Sequence, residues 1–217
     1  MRRMRGHTSR VNCVKYNMEC SVVVSGGYDK TIRFWDMRSR STEPIQTLEH
    51  CKDSVSSLDV TDTEIIAASI DGTVRMFDMR TGKCVKDDLH EAVTSVQLSN
   101  DKNCLLASTL DSRVQLLDCQ SGVLLNEFCG HENRAYKIES TFVCSDAYVG
   151  SGSEDCSVYF WDLVEGSVAH CVKNAHSKAV VSLSYSRTTN SLMTSSLDGT
   201  AKLFVAPEED VEGVEEE

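Results

Sequence analysis

A stretch of twelve residues, Ser25-Gly26-Gly27-Tyr28-Asp29-Lys30-Thr31-Ile32-Arg33-Phe34-Trp35-Asp36, returns four more times along the chain. The returns are SIDGTVRMFD (69–78), TLDSRVQLLD (109–118), SEDCSVYFWD (153–162) and SLDGTAKLFV (196–205). Their aspartates, Asp29, Asp71, Asp111, Asp155 and Asp198, lie 42, 40, 44 and 43 residues apart. Such a period constrains the fold more than composition can. Each unit is one supersecondary element that cannot bury its apolar face alone, so neighbours must stack and share a core. An uninterrupted period over 217 residues therefore means one repeat array and not two independent domains.

A period in the low forties, closed by Trp-Asp or a degraded form of it, is the signature of four strands per propeller blade, the WD repeat. The expected fold is all-β, a WD40 β-propeller with five recognisable blades, at about 6–48, 49–88, 89–128, 129–173 and 174–206. In the first unit Gly6-His7 opens a turn, 11–16 is the innermost strand, 21–26 the second, 31–35 the third and 44–48 the outermost. Val22, Val23 and Val24 run together because a blade is covered on both faces by its neighbours, which removes the need to alternate. The last unit shows no outer strand. Residues 1–5 either supply it and close the ring, or leave the ring open.

A hydrophobic fraction of 41% with two prolines and twelve glycines reads as a globular chain. The net charge is -11, but residues 208–217 hold seven acids and no base, which leaves -4 for the rest. The segment 207–217 is read as a disordered acidic tail, and a direct nucleic-acid contact is not expected of a chain with this sign. Ten cysteines are scattered without a CxxC pair, and no run approaches the roughly 18 apolar residues of a membrane span. The expectation is an intracellular chain with reduced thiols acting as small core hydrophobes.

Five of six histidines, His7, His50, His90, His131 and His176, precede their unit's aspartate by 21 to 24 residues. In the first unit Ser25 and Trp35 complete a set with His7 and Asp29; in the fourth, Ser151 and Trp161 do so with His131 and Asp155. In WD repeats the indole N–H donates to the hydroxyl, the hydroxyl to the imidazole, and the imidazole to the carboxylate, so no buried polar group is left alone. Ala67 and Phe77 in the second unit, and Ala107 and Leu117 in the third, leave only a His–Asp contact there; the fifth keeps His176, Thr194 and Asp198. The same residue types make nucleophilic triads, but a triad occurs once, needs an oxyanion hole and exposes its serine. GxSxG, a phosphate loop and HExxH are absent. No catalytic residue, metal or cofactor is expected.

Propellers bind on the face where leading turns and tight turns surround the central channel. The residue before each aspartate points out there: Tyr28, Ile70, Leu110, Glu154 and Leu197. Four of these are apolar or aromatic and either make an exposed patch of the kind that marks protein interfaces, flanked by Arg10 and Arg134, or are partly buried by neighbouring turns. The expected partners are proteins, not membranes, nucleic acids or small-molecule substrates.

WDMRSRSTEPIQTL (35–48), IIAASIDGTVRMFDMRTG (65–82), STLDSRVQLLD (108–118) and SEDCSVYFWDLVEG (153–166) closely resemble the mitogen-activated protein kinase organizer, WD-repeat family. The resemblance covers 3–204. It implies a non-enzymatic scaffold for components of the extracellular-signal-regulated kinase cascade, in cytoplasm and nucleus, with an association with the spliceosome in pre-mRNA splicing. It also implies a seven-bladed parent, of which this chain, opening at what resembles the third blade, is an N-terminally truncated member. An Asp-x-Arg follows two successive blades, at Asp36-Met37-Arg38 and Asp78-Met79-Arg80. That pattern is similar to the docking motif of WD-repeat substrate receptors of cullin-type ubiquitin ligases, which is the alternative function.

Overall fold

The computed structural model describes residues 3–205, all of whose regular elements are strands; the expected acidic tail lies outside the described residues. The first blade is β1 (Val11–Tyr16), β2 (Val22–Gly27), β3 (Ile32–Asp36) and β4 (Gln46–Leu48). The second is β5 (Val55–Val60), β6 (Glu64–Ser69), β7 (Thr73–Asp78) and β8 (Cys84–Asp88). The third is β9 (Val93–Leu98), β10 (Cys104–Thr109), β11 (Arg113–Asp118) and β12 (Leu124–Cys129). The fourth is β13 (Ser140–Val143), β14 (Tyr148–Gly152), β15 (Val158–Asp162) and β16 (Val168–Val172), and the fifth is β17 (Val180–Ser186), β18 (Ser191–Ser196) and β19 (Ala201–Val205). Every sheet is an antiparallel meander in chain order.

Two turns recur, and each explains one aspartate of the repeat. At the tight turn between second and third strands, the residue after the aspartate is left-handed every time: Lys30, Gly72, Ser112, Cys156 and Gly199 have φ between +66° and +83°. Three of the five are not glycine, so the carboxylate before them must hold the turn against a conformation that L-residues disfavour. At the turn to the outer strand, the aspartate that closes the unit caps the loop. Asp78 Oδ1 accepts from the N–H groups of Arg80 and Thr81, Asp118 from Gln120 and Ser121, and Asp162 from Val164 and Glu165. A left-handed glycine, Gly82, Gly122 or Gly166, completes each of these three turns.

Blades stack through a continuous core. Val24, Ile32 and Phe34 of the first pack with Val55, Leu58, Ile65 and Phe77 of the second, and the pattern repeats to the fifth. A bulge near the start of the inner strand gives each of the first three contacts a polar stitch. The extra residue faces the next blade: Asn12 Nδ2 donates to Val55 O (2.8 Å), Ser56 Oγ to Val93 O (2.6 Å) and Thr94 Oγ1 to Ile138 O (3.2 Å).

The first and last blades do not pack on one another. Val14 is 51% exposed where its repeat equivalent Leu58 is fully buried, and Leu203 is 58% exposed where its equivalent Phe34 is 7% exposed. Five blades thus form an open arc. Of the two outcomes left open for residues 1–5, the described ones give the second. Arg5 donates its backbone N–H to Thr42 O (2.9 Å) within the first blade, and the fifth sheet has three strands.

Candidate functional site

In the first blade the four expected side chains meet. Trp35 Nε1–H donates to Ser25 Oγ (2.8 Å), Ser25 Oγ–H to His7 Nε2 (2.8 Å) and His7 Nδ1–H to Asp29 (2.9 Å). Asp29 also accepts from Thr8 N–H (3.0 Å) and Thr31 Oγ1–H (2.9 Å). Burial pushes its pKa up, but the bonds from Thr8, His7 and Thr31 outweigh that and hold it at about 2. The leading turn at His7 is thereby locked to the tight turn that carries Tyr28.

The fourth blade does not repeat this, and the expected set of His131, Ser151, Asp155 and Trp161 is corrected here. Trp161 Nε1–H donates to Cys129 O (2.9 Å), Ser151 Oγ–H to Gly152 O (3.0 Å), and Asp155 accepts from Tyr159 Oη–H (2.7 Å). The cause is Tyr159, four residues after Asp155 where the first two blades carry Arg33 and Arg75. Its hydroxyl occupies the carboxylate and its ring stacks on Trp161 (5.8 Å, 18°). His131 is left buried, edge-on to Trp161 at 5.3 Å, with neither ring nitrogen hydrogen-bonded. Burial pushes its pKa down to about 4, so the ring is neutral at neutral pH.

The His–Asp contact expected in the second and third blades is also replaced. Arg75, buried to 3% exposure, forks onto Asp71 (Nη2 to Oδ2, 2.9 Å), while His50 lies exposed against Phe77. Asp71 is desolvated, which raises its pKa, yet the bonds from Arg75, Thr73 and Lys52 N–H hold it well below the usual carboxylate range. Asp111 pairs with Arg113 (3.1 Å), and His90 is exposed beside Asp88 (3.5 Å). The fifth blade does assemble its shorter set: His176 Nε2 lies 2.8 Å from Thr194 Oγ1, and Nδ1 lies 3.3 Å from Asp198. Arg75 was not singled out from the sequence, although an arginine four residues past two successive aspartates was the available signal.

On the rim, the residue before each aspartate is fixed by its backbone N–H, which donates across to the leading turn: Tyr28 to Arg10 O, Ile70 to Ser54 O, Leu110 to Ala92 O, Glu154 to Glu132 O and Leu197 to Ala179 O. Side chains differ in what they offer. Tyr28 is 57% exposed and Leu197 43%, Ile70 and Leu110 are half-buried, and Arg10 and Arg134 are exposed. Glu154 turns inward: Oε1 accepts from the N–H groups of Arg134 (2.8 Å), Ala135 (2.7 Å) and Tyr136 (3.1 Å). Burial raises its pKa, and those three donors outweigh that and lower it.

Two other readings meet plain geometry. Ser25 is 4% exposed and bonded to an indole, which leaves no room for a substrate carbonyl. Arg38 and Arg80 follow turns in which Asp36 and Asp78 cap backbone N–H groups, and Arg38 reaches Glu19 at 3.4 Å. All ten cysteines are unpaired, and among the described residues no group of three or more His, Cys, Asp or Glu is placed to hold a metal ion.

The family pattern described as WD domain, G-beta repeat matches residues 1–36, 42–78, 122–162 and 169–204. The chain belongs to the WD-repeat family. The pattern passes over most of the third blade, where Leu117 replaces the tryptophan and His90 leaves its aspartate. Relatives named WD repeat domain-containing protein 83, the mitogen-activated protein kinase organizer family, are similar to this chain over part of their length. The rat protein is 45% identical over 148 residues, covering 68% of this chain and 47% of its own. The human protein is 45% identical over 156 residues, covering 72% and 49%, and a Dictyostelium discoideum homolog 29% identical over 226 residues, covering 91% and 69%. The chain thus spans about half the length of the rat and human relatives. The crystal structure of the computationally designed Ika8 protein superposes with a TM-score of 0.76 over 94% of this chain and 61% of its own at 24% identity, which supports the fold.

Proposed function

We propose that the chain is a non-catalytic platform that organises components of the mitogen-activated, extracellular-signal-regulated kinase cascade, in cytoplasm and nucleus, and that the same face joins the spliceosome in pre-mRNA splicing. WD-repeat propellers are typically interaction scaffolds, which fits this reading. The observation that carries it is Tyr28: an aromatic side chain 57% exposed at the tip of the turn whose backbone the His7–Asp29 network holds most completely. A large aromatic presented on a fixed backbone loses little freedom on binding, the condition for an interface hot spot.

The test is the double variant Tyr28→Ala with Leu110→Ala. Co-purification of kinase-cascade components is expected to fall by an order of magnitude or more, about 1.4 kcal/mol per tenfold, with Tm unchanged. Unchanged capture would overturn the reading.

A further inference from the structure

On the face opposite the tight turns, where the chain leaves β3, four arginines converge. Arg3, Arg5, Arg38 and Arg40 line an open pocket of about 780 Å³, and the Arg5–Thr42 backbone bond fixes the N-terminal segment against the β3–β4 connection. Among the described residues the one acid paired with any of them is Glu19, at 3.4 Å from Arg38, and both side chains of that pair are about three-quarters exposed. A chain of net charge -11 thus holds a concentrated positive site in which, among the described residues, Arg38 alone has an ion-paired acid, and that pair is exposed. Guanidinium groups repel each other when close, and their planar forks match carboxylate pairs, so the site is built for a polyanion.

We infer that the occupant is the chain's own acidic segment, residues 208–217, docked in cis. Seven carboxylates and no cation in ten residues supply the complement. Position supports it. Val205, the last residue of β19, pairs with Ser191 as Asp36, the last of β3, pairs with Val22, so both strands end on the same face of the arc. The first and fifth blades flank the open side, and the twelve residues after Val205 reach up to about 40 Å when extended. This inference concerns a different face from the protein platform and stands or falls without it.

A fluorescent peptide of the sequence 207–217 is titrated into the full chain and into a full-length variant whose seven tail acids are changed to Gln and Asn. A tethered segment competes at an effective concentration in the millimolar range, so the neutral-tail variant is expected to bind the peptide about tenfold more tightly than the native chain. Adding Arg38→Glu and Arg40→Glu to that variant abolishes binding, with its melting curve as the check on folding, and raising salt from about 0.05 to 0.5 M weakens it steeply. Equal affinity in native and neutral-tail chains overturns the inference, as does binding that survives the two reversals. A native chain that dimerises with concentration while the neutral-tail variant does not would place the segment in a second copy. A phosphoserine peptide bound equally by both would give the pocket to a partner's phosphate.

Discussion

Ser25 and Ser151 occupy the same repeat position, both are buried, and their removal has different consequences. Ser25 Oγ accepts from Trp35 and donates to His7, so Ser25→Ala leaves an indole N–H and an imidazole nitrogen without partners in a site from which water is excluded. At about 1–3 kcal/mol for each orphaned group, the cost is on the order of 2–6 kcal/mol. Ser151 Oγ donates only to the adjacent Gly152 carbonyl, so Ser151→Ala orphans no other side chain and costs about 1 kcal/mol or less. At roughly 2–4 °C per kcal/mol for a chain of this size, Ser25→Ala lowers Tm by about 4 °C or more, and Ser151→Ala by less than half of that. Calorimetry of the two variants beside the native chain reads both. Equal shifts would refute the reasoning, because they would mean that the hydroxyl is worth the same whether or not a network runs through it.

Replacing His131 by Phe removes two unpartnered ring nitrogens while keeping most of the packing on Trp161, so Tm is expected to hold or rise, whereas His176→Phe lowers it. His131 also sets an acid sensitivity. Its pKa is about 4 in the fold against an ordinary 6.5, so the unfolded chain takes up a proton first and stability falls as pH drops from about 6.5 to 4; His131→Phe flattens that window in urea melts. Below it, Asp29 adds a second loss: its folded pKa of about 2 lies under the ordinary 3.8, so its contribution is complete above pH 4 and disappears towards pH 2. Arg75→Ala strands the Asp71 carboxylate and costs about 3–5 kcal/mol by urea denaturation. Phe34→Lys costs several kcal/mol and its repeat equivalent Leu203→Lys under about 0.5, a contrast that thermal melts resolve.

The period was legible because every unit needs the same tight turn, and turns demand particular residues. Asp29, Asp71, Asp111, Asp155 and Asp198 stand before a left-handed residue in every blade, so spacing alone located five tight turns. What each aspartate bonds to was legible only in part. His7 and His176 sit at the expected distance in sequence and also in space, but His50, His90 and His131 do not, although their offsets are just as regular. Offset fixes where a backbone passes; the partner of a carboxylate is decided by competition among side chains that reach it. Arg75 takes Asp71 with a charged fork and Tyr159 takes Asp155 with a phenol whose ring also gains a stacking surface, whereas Arg33 stands 3.8 Å from Asp29 and leaves it to His7 at 2.9 Å. The stitches from Asn12, Ser56 and Thr94 were invisible for another reason: a bulge shifts register by one residue, and no alternation pattern marks it.

Histidine is therefore the replaceable member of the repeat and the carboxylate is the fixed one. In the first, second and fifth blades the tight-turn aspartate accepts directly from a backbone N–H of the leading turn, Thr8, Lys52 and Ser177, with or without an imidazole between them. In the fourth blade Tyr159 draws Asp155 away, and the task passes one residue back: Glu154 takes three N–H groups of the leading turn, and Ser153 Oγ takes that of Glu132. A side chain that could have served a partner becomes structural there, while Tyr28 and Leu197, whose neighbours Asp29 and Asp198 already hold their turns, are left exposed. Which rim residues are available for binding is thus set by which acid in each turn is needed to hold the backbone. Changing Tyr159 to Arg, the residue of the first two blades, does not release Glu154 unless Asp155 regains a leading-turn N–H. A double-mutant cycle between positions 154 and 159 therefore gives a coupling energy near zero if Glu154 alone holds the turn, and a coupling of about 1 kcal/mol or more if the two acids share it.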